Sequence, residues 1–284
     1  MASLRDIKIR IKSVKSTQKI TKAMEMVAAS KMKRAQSQAL KGRPYLNKLT
    51  EIIAHLLYLQ NPPLKHKLME KRKEVKSVGY IFMTSNRGLC GSFNSSIIRK
   101  MLEILSEKNH TKEIVISVGR KGRQAMDRVG KNILADFETM SDKPSFVDTL
   151  GISKIIKDDF LSGKLDEVYV VYNHFYSVMT QKPEIVKLLP LEIDTNVLEG
   201  LKESDYIFEQ DKEMILDQLM DRYVDTMVYQ KVLESVASEH SARMVSMRQA
   251  SDNAQDIVTQ LTLHYNKARQ AKITKEILEV VAGS

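Results

Sequence analysis

Between Gly200 and Gly283 the chain contains neither glycine nor proline, and no other feature limits its fold as strongly. The residues that most often interrupt a helix are missing, so the spacing predicts one helix from 201 to 282. At about 1.5 Å per residue such a helix reaches roughly 120 Å, several times the width of a small domain. From Met244 onward its apolar positions run Met247, Ala250 or Ser251, Ala254, Val258, Leu261, Tyr265 and Ala268. Steps alternating between three and four are the seam of a left-handed coiled coil, and a seam requires a second strand.

The N-terminus offers that strand. Met1 to Lys41 also lacks glycine and proline, and Leu4, Ile7, Ile11 and Val14 fall at helical spacing. Polar residues interrupt at Lys15 to Lys19, after which Ile20, Met24 and Val27 are expected to continue the apolar face. A kink or brief break is expected near 42–44, where Gly42 and Pro44 weaken the helix. Leu46, Leu49, Ile53, Leu56 and Leu57 then resume the pattern until Asn61-Pro62-Pro63 ends it.

From Val75 the periodicity changes. Short β-prone runs at Val78–Met83, Glu113–Val118, Ile133–Phe137, Val168–Val178 and Glu184–Leu189 are interleaved with helical stretches at 94–108, 120–129 and 144–161. This alternation indicates an α/β layer with a largely parallel sheet. The expected fold class is therefore α/β plus a long α-helical coiled coil. An N-terminal coiled-coil helix (1–61) and a C-terminal one (201–284) pair antiparallel and bracket a Rossmann-like α/β domain (75–195).

Composition narrows the class further. With 43% apolar and 28% charged residues, the 284-residue chain has the balance of a folded protein. Fifteen methionines and no tryptophan suit helix-on-helix packing. Cys90 is the single cysteine, which forbids an internal disulfide and points to a reducing compartment. No apolar run approaches the roughly eighteen residues of a membrane span, and the N-terminus has no apolar signal core. The expectation is a soluble or peripheral protein that keeps its N-terminal helix.

Charge is concentrated at one end. Residues 1–48 hold nine lysines and four arginines against Asp6 and Glu25, a local +11, and the other 236 residues come to −1, giving the net +10. Such a bias fits an acidic protein partner. The alternative is a basic coiled-coil protein that binds nucleic acid, although these cations lie on several faces without the aromatic residues that stack on bases.

Candidates for chemistry are sparse. Gly88 and Gly91 precede a helix in a turn that could hold phosphate. Yet no Gly-x-x-x-x-Gly-Lys-Ser/Thr occurs, and Asn86 to Gly91 lacks the Gly-x-Gly-x-x-Gly spacing, so a structural turn is expected. Gly119 and Gly122, flanked by Arg120, Lys121 and Arg123, are read as a basic solvated loop. Cys90 has no positioned base, and the six histidines stand too far apart for a local metal motif. Ser238, His240, Ser241 and His264 lie on a rod without a cleft, and the adjacent Asp158 and Asp159 are read as solvated charge. Catalytic, cofactor and metal residues are all expected to be absent. An enzyme built on the α/β domain lacks its constellation.

The termini carry a resemblance. The run Thr17-Gln18-Lys19-Ile20-Thr21-Lys22-Ala23-Met24-Glu25-Met26-Val27, continuing to Met32, is similar to the N-terminal signature of the ATP synthase gamma subunit family. Ala237 to Met244 and Tyr265 to Glu276 resemble the C-terminal signature, and Gly88-Leu89-Cys90-Gly91 matches in the middle. The resemblance implies a non-catalytic central-stalk rotor of an F-type ATP synthase, carrying torque between a membrane c-ring and a catalytic ring of three alpha and three beta subunits. It implies catalysis on beta, an epsilon partner, and peripheral membrane association at the cytoplasmic face of a bacterial cell membrane. It also implies beta contacts at Met24, Arg243, Arg269 and Gln270, a tail beyond Ile277 in an apolar sleeve, and a foot at Tyr206, Phe208 and Glu209 facing the c-ring and epsilon. Chloroplast members carry a paired-cysteine switch; the lone Cys90 departs from that pattern and favours the bacterial type.

Overall fold

The computed structural model describes residues 4–58, 64–107, 112–138, 140, 143–193, 209 and 211–283. The chain divides into two compact units, Met1–Ala29 with Arg243–Ser284, and Ser30–Ala242. Two long helices, α1 (Leu4–Tyr58) and α5 (Lys212–Ala282), contribute to both.

The larger unit is built on a five-stranded sheet. Its strands are β1 (Ser77–Met83), β2 (Lys112–Val118), β3 (Ile133–Phe137), β4 (Glu167–Phe175) and β5 (Gln181–Leu189), in the order β3-β2-β1-β4-β5. The first four pair in parallel, and β5 returns antiparallel to β4 through a short hairpin. Helices α2 (Phe93–Glu107), α3 (Arg120–Val129) and α4 (Phe146–Leu161) make the connections. Ser145 and Asp148 form a reciprocal capping box that starts α4 two residues after Pro144.

Strand β1 is buried along its whole length, as expected for a parallel strand covered on both faces. Val78, Tyr80 and Phe82 pack with Ile97, Met101 and Ile104 of α2 and Met126 of α3. Ile81 and Met83 point the other way, into a core with Ile152, Ile156 and Phe160 of α4. That second core also takes in Leu49, Ile53 and Leu56 of α1 and Leu216, Met220, Val224, Val228 and Val232 of α5. The long helices are thus part of the cover of the sheet.

In this unit α1 is continuous through Gly42 and Pro44. Gly42 faces α5, where a Cβ would collide with the amide of Gln230; the absent side chain makes room for a buried glutamine. Pro44 is exposed, so the carbonyl that its missing N–H leaves unpaired lies on the solvent side of the helix.

Gly119 is the glycine that geometry demands most. Its φ is +98°, and an added Cβ would run into the Thr84 carbonyl at the end of β1. Gly119→Ala is expected to destabilise the protein by about 3 kcal/mol through backbone strain and steric overlap, read as a shifted midpoint in chemical denaturation.

Candidate functional site

In the smaller unit the structure is a helical pair. Counting in alternating threes and fours from Leu4, Ile7, Ile11 and Val14 leads to Gln18, Thr21, Glu25 and Ala28. Every one of these is buried or half-buried, whereas Ile20 is 59% and Val27 54% exposed. The expected continuation through Ile20, Met24 and Val27 is therefore corrected. The seam keeps its original phase and passes through polar residues, which hide it from a search for apolar spacing. On α5 the seam is Met244, Met247, Ser251, Ala254, Val258, Leu261, Tyr265 and Ala268, with Ser251 at 5% exposure taking the place that Ala250 contested.

The polar seam positions have polar partners. Gln18 Nε2 donates to Gln255 Oε1 at 2.8 Å. Arg248 Nε donates to Glu25 Oε1 at 2.9 Å, and Lys22 Nζ donates to Glu25 Oε2 at 3.0 Å. Residue numbers rise on one helix as they fall on the other, so the pair is antiparallel. The Glu25 carboxyl is held below its usual pKa, chiefly by the Lys22 hydrogen bond and with help from Arg248, against the opposing effect of burial.

Met24 lies half-buried beside Glu25, and Arg243 is likewise half-buried on α5. Arg269 and Gln270 are exposed on α5, about 40 Å from Arg243 by helical rise. Glu209 is exposed, while Tyr206 and Phe208 lie outside the described residues. The structure thus does not gather these positions into one cluster. Apolar side chains stand outward on both helices: Ile9, Ile20, Met26 and Val27 on α1, and Leu263, Ile273, Ile277 and Leu278 on α5. Such exposed apolar residues are candidate contact positions.

The larger unit contains the crevice where doubly wound sheets of this strand order commonly bind ligands, outside the carboxyl ends of the strands. Here α5 runs across it, and Val232, Ser235, Val236, Glu239 and His240 close a cavity of about 40 Å³ against Met83, Thr84, Val118 and Gly119. The first amides of α3, which a phosphate would need, are already spent. Arg120 N donates to Asn86 Oδ1 at 2.9 Å, Lys121 N to the Ser85 carbonyl at 3.1 Å and Gly122 N to Thr84 Oγ1 at 2.7 Å. The segment is the first turn of α3 rather than a loop, with Gly122 buried, while Arg120 and Arg123 stay exposed.

Cys90 is buried under the Gly88–Gly91 turn, where Asn94 Nδ2 donates to its sulfur at 3.3 Å. Ser238, His240 and Ser241 are buried in packing, and Ser241 Oγ donates to the Val178 carbonyl at 2.8 Å. Asp159 is not solvated charge; it is buried and accepts from Lys164 Nζ at 2.9 Å. Among the described residues no three His, Cys, Asp or Glu side chains converge as a metal site. No described helix is long and apolar enough to cross a membrane.

A family model described as ATP synthase matches residues 3–284. The chain is 45% identical to the ATP synthase gamma chain of Dehalococcoides mccartyi and 42% identical to that of Legionella pneumophila, each over 100% of this chain and 99% of the relative. Among solved structures it is similar to a chain of the Tetrahymena thermophila mitochondrial ATP synthase central stalk and c-ring. That match has 28% identity and a TM-score of 0.62 over 82% of this chain and 99% of the other. A chain of the Euglena gracilis mitochondrial ATP synthase in rotational state 3 shares the fold with a TM-score of 0.65 and 20% identity, covering 98% of this chain and 92% of the other.

Because the Glu25 pKa is depressed in the folded chain, its ion pairs stabilise the fold above the ordinary carboxylate range. That contribution is lost as pH falls through the lowered value. Glu25→Gln is expected to cost about 1–2 kcal/mol at neutral pH, with the difference in thermal midpoint closing below the folded-state pKa.

Proposed function

Because the chain belongs to the ATP synthase gamma chain family, we propose that it works as the central-stalk rotor of that complex, linking a membrane c-ring to a catalytic alpha/beta ring. The observation that carries this reading is the helical pair with apolar and basic residues turned outward, in a chain alike over its full length to gamma chains. The same likeness leaves the nucleic-acid alternative without support. The division of labour we propose gives residues 1–61 and 201–284 to the shaft and 75–195 to the domain that anchors it.

In this mechanism the chain reacts with nothing. Catalysis belongs to three beta subunits, and the rotor acts by presenting a different face to each. A partner shifts a conformational equilibrium only as far as its contacts differ between the two states. An antiparallel pair of unlike helices is asymmetric about its axis, so three chemically identical sites meet three different surfaces.

Met24 and Arg243 would meet an acidic lever of beta, and the local +11 of residues 1–48 complements such a partner. Arg269 and Gln270 would contact a beta loop, and the tail beyond Ile277 would turn in an apolar sleeve. Glu209, with Tyr206 and Phe208, would face the c-ring and epsilon. The complex would hold the chain peripherally at the cytoplasmic face of a bacterial membrane.

The test is co-purification with alpha and beta subunits, followed by ATP-driven proton pumping in membranes. The purified chain alone should hydrolyse no ATP, and a fully coupled complex assembled without it would sink the proposal. Met24→Lys places a cation beside the acidic lever. It is expected to lower protons pumped per ATP by about fivefold, the effect of ~1 kcal/mol favouring some orientations over others, without impairing assembly.

A further inference from the structure

The larger unit carries a groove that neither the sheet nor its helical cover fills. It lies between α1, α5 and the end of β4 and holds about 260 Å³. Its apolar lining is Ala39 and Leu40 of α1, Phe175 of β4 and Ala237 of α5. Ala39 and Ala237 are buried, while Leu40 is 58% exposed. Two small side chains thus leave room at the floor, and a large one stands at the edge. A cavity of roughly 150 Å³ is enough for benzene, so this one has room for a single ring with a short arm.

The polar groups of the groove set the sign of what it can take. Glu234 is already partnered: its Oε2 accepts from Lys231 Nζ at 3.3 Å and lies 3.2 Å from His174 Nδ1. Lys231 Nζ also donates to the Tyr172 hydroxyl at 2.9 Å, so a cationic ligand would have to displace a cation held from two sides. Arg43 is different. It lines the groove, is exposed and, among the described residues, makes no hydrogen bond or ion pair. One guanidinium fork matches one carboxylate edge to edge. A phosphate ester asks for more donors, and both long helices pass the groove at mid-length, with their backbone N–H groups spent within the helix.

We propose that this groove is a binding site for a small aromatic carboxylate, its ring on Ala39, Ala237 and Phe175 and its carboxylate on Arg43. His174, whose Nδ1 is committed to Tyr172 and Glu234, keeps Nε2 for a further polar atom of the ligand. The site is independent of the rotor reading, because it is built from the larger unit alone.

Hydrocinnamate, a phenyl ring on a short acid arm, is the probe. It is added to the whole chain carrying isotope-labelled alanine and leucine methyl groups and followed by NMR. Binding is expected at one site with a Kd on the order of 1 mM or tighter, the range open to a ligand of so few atoms, and with shifts of the Ala39, Leu40 and Ala237 methyls. The primary amide of the same acid has the same shape without the charge and should bind about tenfold more weakly. Arg43→Gln alters an exposed side chain; it should weaken the acid about tenfold and leave the amide unchanged. Arg43→Lys keeps the charge without the fork and should fall between.

Shifts that are absent or confined to other methyls would overturn the proposal. So would equal affinity for acid and amide, or undiminished acid binding in Arg43→Gln. Shifts of the same three methyls that grow with chain concentration in the absence of the probe would seat a second copy in the groove, and would overturn it as well. Association with alpha and beta subunits is measured separately, so this site and the rotor reading can fail independently.

Discussion

Both units depend on α1 meeting α5 along a seam of alternating three- and four-residue steps. A single amphipathic helix in water is at best marginal, because its ordering entropy is offset only when one face is buried against something. Among the described residues of the smaller unit that something is the other helix, and the two seams of Leu4 to Ala28 and Met244 to Ala268 form the core. In the larger unit the same two helices bury Leu49, Ile53, Leu56, Met220, Val224 and Val228 against a sheet as well. There α5 is buried on nearly all sides between residues 223 and 241.

That second role also fills the place where the topology invites a ligand. The region outside the carboxyl ends of the strands is where sheets of this order commonly bind ligands. In this protein α5 lies across it, and Thr84, Ser85 and Asn86 absorb the α3 amides that would otherwise hold an anion. Gly119 is required by the proximity of the Thr84 carbonyl, not by a ligand. The sheet serves as the seat of a helix. A rotor needs such a seat, since torque passes only through parts that are packed against one another.

Much of the architecture was legible in the sequence. The α3 helix at Arg120–Val129 and the β3 strand at Ile133–Phe137 begin and end where their periodicity does, because both are short, locally consistent segments. The antiparallel return of β5 was less visible, since a strand pattern carries no direction. Two readings failed for a shared reason. Asp159 looked solvated and is buried with Lys164, and the seam expected at Ile20, Met24 and Val27 runs instead through Gln18, Thr21 and Glu25. Each is a polar group whose burial depends on a partner, and for Glu25 that partner lies 223 residues away.

The sequence by itself determined the periods: the two long helices, the alternating strands and helices between them, the basic N-terminal end, and signatures extensive enough to mark the family. These are local properties, set by spacing, by glycine and proline, and by charge along the chain. Only the tertiary structure decided which residues the helices bury and what fills the crevice. Hydrophobic spacing loses its phase wherever seam positions are polar, and a backbone amide is free or spent according to what the distant chain brings beside it. Gln18, Glu25 and the first turn of α3 acquire their roles from Gln255, Arg248 and the end of β1, all of them remote in sequence.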